Sequence, residues 1–158
     1  MICNTSPLQY LHQLGLLHLL PALVEQVIVP PAVVDELEVG RAAGVNLPDI
    51  TILDWVVIRR PVGEVALPLI ADLGPGETEV LMLALELRDS IVILDDGLAR
   101  QVAETRGIRY TGTLGILLDA KRKGLVPRIA ILLDQLQSLR FRLAPQTRAA
   151  ILKLANEA

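Results

Sequence analysis

The chain has 158 residues, 52% of them hydrophobic and only 3% aromatic, with a formal net charge of −3. That length suits one domain, running from 1 to 158, with a full core packed from Leu, Ile, Val and Ala. No apolar run reaches the roughly 18 residues that a membrane-spanning helix needs, the start lacks a signal-peptide pattern, and the lone Cys3 has no cysteine partner for a disulfide or a metal cluster. A soluble, cytoplasmic protein without membrane association is expected.

Residues 121–153 carry Lys121, Arg122, Lys123, Arg128, Arg140, Arg142, Arg148 and Lys153 against Asp134 alone. This +7 segment leaves −10 for the rest. An acidic centre beside a basic rim suits an anionic polymer, although ordinary solvated helix faces would give the same count.

In chain order, Met1-Ile2-Cys3 reads as a short first strand ending at Asn4. Thr5 or Ser6 should cap a helix with Pro7 at its first position. Leu8, Leu11 and Leu14 continue that helix to a break near Gly15, and a second short helix is expected over 16–24. Val27-Ile28-Val29 is the next strand. Pro31 opens a helix that ends at Gly40, and residues 40–54 read as a loop or broken helix. A third strand is expected over 55–59 and a short helix over 65–71. After the turn at Gly74 comes a helix, then the apolar run Ile91 to Leu94, which has the form of a buried parallel strand. It ends in Asp95-Asp96. A helix over 97–106 closes at Gly107, a strand covers 108–111, and Thr113 is a good N-cap for a helix over 114–123. Helices over 127–139 and 145–156 complete the chain. The alternation predicts an α/β fold with a parallel sheet and helices on both faces.

Ligands of such sheets bind beyond the carboxyl ends of the strands, where Asp95 and Asp96 stand. They point to opposite faces if the strand continues through them, so one is expected to serve as a ligand while the other orients it or caps the next helix. At about 100° per residue, Glu77 falls at the centre of the arc formed by Val80, Leu81 and Ala84. Glu79 and Glu86 fall opposite, where solvent is expected. A carboxylate over a core-facing stripe needs a partner, either the helix N-terminus or a metal. Glu36 flanks the apolar arc of Val33, Val34 and Leu37, and alone it would be an ordinary solvated side chain. Carboxylates at strand ends and helix starts together suit Mg²⁺ or Mn²⁺, hard ions that take oxygen ligands and retain water. The two histidines, His12 and His18, lie near no motif.

Asn-Thr-Ser-Pro-Leu after the first strand, Val-Pro-Pro-Ala-Val-Val-Asp-Glu-Leu, Leu-Gly-Pro-Gly-Glu-Thr-Glu, Ile-Leu-Asp-Asp-Gly-Leu-Ala-Arg and Gly-Thr-Leu-Gly-Ile-Leu follow one another along the sequence. This series resembles the PIN domain, and more narrowly its prokaryotic branch with the Gly-Thr-Leu-Gly motif. The resemblance implies a three-layer α/β/α sandwich with a central parallel sheet and a Mg²⁺- or Mn²⁺-dependent endoribonuclease. It also implies a role as the toxin of a toxin–antitoxin pair, with RNA as substrate, a small antitoxin as protein partner and a homodimer as the assembly. Carried over by position, the metal-binding and catalytic residues are Asn4, Glu36, Glu77 and Asp95 or Asp96, with Thr5 and Ser6 as the small hydroxyl residues after the first. Arg100, Lys121, Arg122, Lys123, Arg140 and Arg142 are the expected RNA contacts. Asn4 stands where the family usually has aspartate, which removes one negative charge from the site. The alternative is therefore a catalytically weak module that binds nucleic acid or an antitoxin.

Overall fold

Short runs of two or three residues form the sheet, mostly Ile and Val except at the edge strand Arg109–Thr111. The strands are β1 (Ile2–Cys3), β2 (Val27–Val29), β3 (Val56–Ile58), β4 (Ile91–Ile93) and β5 (Arg109–Thr111), as seen in a computed structural model that describes residues 1–63 and 73–158. The strand order is β3-β2-β1-β4-β5 and every pairing is parallel. Ile2 pairs with Ile28 on one side and Val92 on the other, and Cys3 pairs with Ile93. Two residues suffice for the central strand because both are fully buried, as expected where helices cover both faces.

The helices are α1 (Thr5–Gln13), α2 (Leu19–Leu23), α3 (Pro31–Ala42), α4 (Pro75–Glu86), α5 (Gly97–Thr105), α6 (Thr113–Arg122), α7 (Ile129–Ser138) and α8 (Pro145–Leu154), with one 3-10 turn at Ile50–Ile52. α4 lies against β1 and β4 with α3 and α5 beside it, while α6 lies against β5 and gathers α1, α2, α7 and α8. The result is the expected α/β/α sandwich. Among the described residues no helix is long and apolar enough to cross a membrane. The short helix expected over 65–71 lies outside the described residues.

Several boundaries differ from expectation for local reasons. α1 begins at Thr5, because Asn4 is extended (φ −84°, ψ 173°) and the helix starts immediately after it. Thr5 and Ser6 do not cap it; their hydroxyls donate to Glu36 and Asp95. α3 passes through Gly40, and the left-handed residue that ends it is Gly44 (φ 88°). Thr113 is the first residue of α6, not its cap, and its hydroxyl also goes to Asp95. Glu79 and Glu86 are not on a solvated face. α4 is covered behind as well as in front, so Glu79 accepts the Ala32 N–H (3.2 Å) and Glu86 those of Val62 and Gly63 (2.8 Å each).

Near the C-terminus Glu157 serves as a cap supplied from a distance. Its carboxylate accepts the N–H groups of Ile129 (2.7 Å) and Ala130 (3.1 Å) at the start of α7 and pairs with Lys121 Nζ (3.2 Å). Burial pushes its pKa up, but these bonds outweigh that and hold it below the usual glutamate value. The charged form is thus stabilised by folding, and that contribution is lost as pH falls through the folded-state pKa. Glu157→Gln should destabilise the fold by about 1–2 kcal/mol at neutral pH, the scale of a lost charged cap. The gap between variant and parent melting temperatures should begin to narrow near the free glutamate value of about 4.3 and close only once pH lies below the lowered folded-state value.

Candidate active site at the switch point of the sheet

In the order β3-β2-β1-β4-β5 the chain builds outward from β1 in one direction and from β4 in the other. The crevice beyond the carboxyl ends of β1 and β4 is thus the topological switch point, where open α/β sheets hold their ligands. Asn4 leaves β1 there and Asp95 leaves β4, and the Asn4 N–H donates to the Ile93 carbonyl (3.1 Å). A cavity of about 560 Å³ opens at this point, lined by Asn4, Ser6, Tyr10, Glu77, Asp95, Asp96, Gly97, Arg140, Phe141 and Arg142.

Each acid is held differently. Asp95 is half-buried and accepts the N–H (2.8 Å) and hydroxyl (2.7 Å) of Thr113, with the Ser6 hydroxyl at 3.3 Å. Asp96 is exposed and caps α5 by accepting the Ala99 N–H (2.9 Å). β4 ends at Ile93, before both aspartates, so their different partners come from the connection into α5 and not from the alternation of a strand. Glu77, at the third position of α4, accepts the Gly74 N–H (2.8 Å), the half of a capping box that remains when the N-cap is glycine, and this bond fixes its rotamer. Glu36 does not line this cavity. It accepts the Gly76 N–H (3.0 Å) and the Thr5 hydroxyl, which ties α3 to the starts of α1 and α4 behind the cavity wall.

Asn4 is the exception. It is 3% exposed, and its Oδ1 is buried without any hydrogen-bond partner. A buried acceptor left unsatisfied costs about 1–3 kcal/mol, and here it shares a cavity with three acceptor-only carboxylates. A hard cation, with its bound waters, is the species that would satisfy all four. Among the described residues no group of three His, Cys, Asp or Glu side chains stands close enough to hold a metal ion. An ion here would therefore have at most two carboxylates as ligands and would keep several waters, as Mg²⁺ can. Cys3, one residue away, is no candidate ligand or nucleophile. Burial, and secondarily the charge of Asp95, pushes its thiol well above the usual range, so it stays protonated.

The sequence matches the PIN domain family over residues 1–157. The chain belongs to that family. Comparison with curated proteins and with solved structures finds no match. PIN domains are generally nucleases that work with divalent ions, so hydrolysis of nucleic acid is the chemistry the family brings to this chain.

The expected basic residues divide by position. Arg140 and Arg142 reach the cavity of this PIN domain. Arg100 lies just beneath it, donating through Nε to the Leu94 carbonyl (2.8 Å) and stacking 5.1 Å from the Tyr110 ring centre. Lys121, Arg122 and Lys123 do not join them. α6 starts beside Asp95 and runs away from it, so these residues lie roughly 12 to 15 Å further along the helix axis. Lys121 is there committed to Glu157 and to the Pro127 carbonyl, and Arg122 pairs with Asp119. Tyr10, Phe141, Gly76, Gly112 and Thr113 were not among the expected site residues. Gly76, Gly112 and Thr113 carried a signal as members of the Leu-Gly-Pro-Gly-Glu-Thr-Glu and Gly-Thr-Leu-Gly motifs, whereas Tyr10 and Phe141 carried none.

Gly112 shows how closely the floor is built. A Cβ there would stand 2.8 Å from Asp95 Oδ1 and strike the Arg100 guanidinium. Gly112→Ala should therefore displace Asp95 from Thr113 and lower stability by about 1–3 kcal/mol, the cost of overpacking. Urea unfolding of the variant against its parent checks this.

Proposed function

We propose that this PIN domain is a Mg²⁺- or Mn²⁺-dependent endoribonuclease that hydrolyses RNA phosphodiester bonds, acting as the toxin of a toxin–antitoxin pair restrained by a small antitoxin. The observation that carries the reading is the buried, unpartnered Asn4 oxygen, which shares the switch-point cavity with Glu77, Asp95 and Asp96. Asn4, Glu77 and Asp95 are the residues that would hold the ion, with Asp96 at the open side. A divalent ion bound there would lower the pKa of a water and offset the charge that develops on the phosphate.

The chain's own residues prepare that chemistry. Thr113 and Ser6 fix the Asp95 carboxylate from one side, and its remaining lone pairs stay available for a ligand. The Gly74 N–H holds Glu77 at the start of α4. Glu36, through Gly76 and Thr5, steadies the junction that presents both Glu77 and Asn4. Arg140 and Arg142 at the opening attract the phosphate backbone, an interaction that weakens with salt. The homodimer belongs to the same proposal, and light scattering on the purified chain measures it.

One observation favours the competing reading, a module that binds nucleic acid or an antitoxin without cleaving. Glu36, Glu77 and Asp95 each already accept hydrogen bonds from the protein, so no carboxylate waits wholly free. Cleavage of a single-stranded RNA decides between the two. The nuclease reading expects cleavage with Mg²⁺ or Mn²⁺, none with chelator, and a drop of about 100-fold or more in Glu77→Gln, the scale of losing one transition-state electrostatic contact. Cleavage that survives both changes would sink it.

The cation need of Asn4 has its own measurement. Asn4→Asp buries a charge without a partner, so the metal-free variant should melt below the parent. Mn²⁺ should bind it about tenfold or more tightly, because the site gains a full negative charge. The rise in melting temperature with Mn²⁺ should then be larger than in the parent. An unchanged Mn²⁺ response would place Asn4 outside the ion site.

A further inference from the structure

Arg100 is a half-buried cation that does not line the cavity. From the first turn of α5 it turns back under the end of β4. There its Nε–H donates to the carbonyl of Leu94 (2.8 Å), the residue before Asp95. The guanidinium lies over the face of Tyr110, 5.1 Å from the ring centre, and the Tyr110 hydroxyl donates to the Glu104 carboxylate. The ring is thus a fixed support that attracts a cation through its π face. Gly112 completes the seat. The Cβ that it lacks would strike the guanidinium and stand 2.8 Å from Asp95 Oδ1. Cation and carboxylate therefore face one another across the width of one absent methyl group.

The two groups are close without being paired. Among the described residues no hydrogen bond or ion pair joins Arg100 to an acid, and Asp95 takes its bonds from Thr113 and Ser6. A guanidinium has several N–H donors, and among the described residues only Nε–H has an acceptor. A neutral residue could make that one bond, since glutamine carries an amide nitrogen at the same distance along its side chain. What arginine adds is a charge that does not titrate in proteins. That charge stands beside Asp95 on a side that does not open to the cavity.

We propose that Arg100 is a positioning residue for the divalent ion: its fixed charge beneath Asp95 draws on the carboxylate from behind and holds down the affinity of the ion site. The inference rests on the proposed ion site at Asp95 and adds to it a control over how firmly that site binds. Guanidinium and ion carry like charges on opposite sides of one carboxylate. Across several ångströms of protein such repulsion changes a binding constant by about tenfold or more. Arg100 acts in the same direction as the neutral Asn4, which withholds a charge from the site. The ion is then held firmly only when the phosphate oxygens of a substrate add theirs.

Variants of the full chain separate the charge from the hydrogen bond. Arg100→Gln removes the charge and keeps an N–H where Nε stood, within reach of the Leu94 carbonyl. Arg100→Lys keeps the charge and loses that donor, because its nitrogen lies one bond further out. Arg100→Met, whose stem still packs on Tyr110, removes both. Calorimetry measures Mn²⁺ binding without RNA, and the metal-free melting temperature is recorded for each. Arg100→Gln should bind Mn²⁺ about tenfold more tightly than the parent while its melting temperature stays close to the parent's. Arg100→Met should show the same tightening from a lower melting temperature. Arg100→Lys should keep the parent's affinity within about threefold and also melt lower. A purely structural arginine would lower the melting temperature in the variants without tightening the ion. Neutral variants that bind Mn²⁺ no more tightly than the parent, or a lysine variant that tightens as much as they do, would overturn the proposal. Cleavage is scored apart from binding. Metal-dependent cleavage by the parent without tightening in the neutral variants keeps the nuclease and removes this role of Arg100. Tightening without any cleavage by the parent keeps the role and removes the nuclease. Absence of Mn²⁺ binding in parent and neutral variants alike removes both.

Discussion

A single carboxylate joins the three connections that meet at the carboxyl edge of the sheet. Asp95 follows β4, accepts from Ser6 at the start of α1, and accepts twice from Thr113 at the start of α6. Hydrogen bonds to a charged acceptor contribute about 1.5–3 kcal/mol each, and their removal would leave a half-buried charge without partners. The surrounding sequence is arranged to permit this contact. Leu94 is fully buried and its N–H donates to the Thr111 carbonyl (2.8 Å), which brings the ends of β4 and β5 together. Gly112 lacks the side chain that would separate them. The location of Asn4 follows from β1 in the same way, since the strand ends at Cys3, which pairs with Ile93, and Asn4 is the next residue.

The acids are ordered by backbone amides, and this shapes how a cation can be received. Glu36 and Glu77 both take N–H groups at the start of α4, where the helix dipole favours negative charge. Those bonds prevent the carboxylates from repelling one another apart when no ion is present. They also occupy some lone pairs, which is why the side chains do not form a closed cage. A carboxylate has about four acceptor sites, so an amide and a hydrated ion can share one. Asn4 lacks an amide or any other donor for its oxygen. It is neutral and can be buried at modest cost, whereas an aspartate in the same place would need its countercharge to fold comfortably.

Fold and site were legible in the sequence to different degrees. Val27-Ile28-Val29 and Ile91-Val92-Ile93 announced buried parallel strands because nothing polar interrupts them. Glu77 could be picked out because its angle on α4 coincides with Val80, Leu81 and Ala84, all buried. The same angles failed for Glu79 and Glu86, since a helical wheel assumes one covered face and α4 is covered on both. Thr113 was read as a cap because propensity sees only neighbours along the chain, whereas its partner Asp95 stands 18 residues earlier. Tyr10 and Phe141 gave no signal at all. Their pairing joins α1 to the segment after α7, a long-range contact that no local pattern encodes.

The basic C-terminal segment shows most clearly what a charge count leaves out. Its +7 includes Lys121, held by Glu157, and Arg148, held by Asp134, which are structural cations. Arg140 and Arg142 are the ones placed at the cavity. Set against Glu77, Asp95 and Asp96, they leave the lining one negative charge, which repels a phosphate backbone. Under the proposed reading a divalent ion reverses that sign to one positive charge. Ion and RNA would then each raise the affinity for the other, because a binding free energy shared between two ligands must be reciprocal. Such coupling makes the neutral Asn4 intelligible. An aspartate would hold the ion more firmly but return the lining to neutrality, so the asparagine gives up ion affinity and retains the attraction for the polyanion.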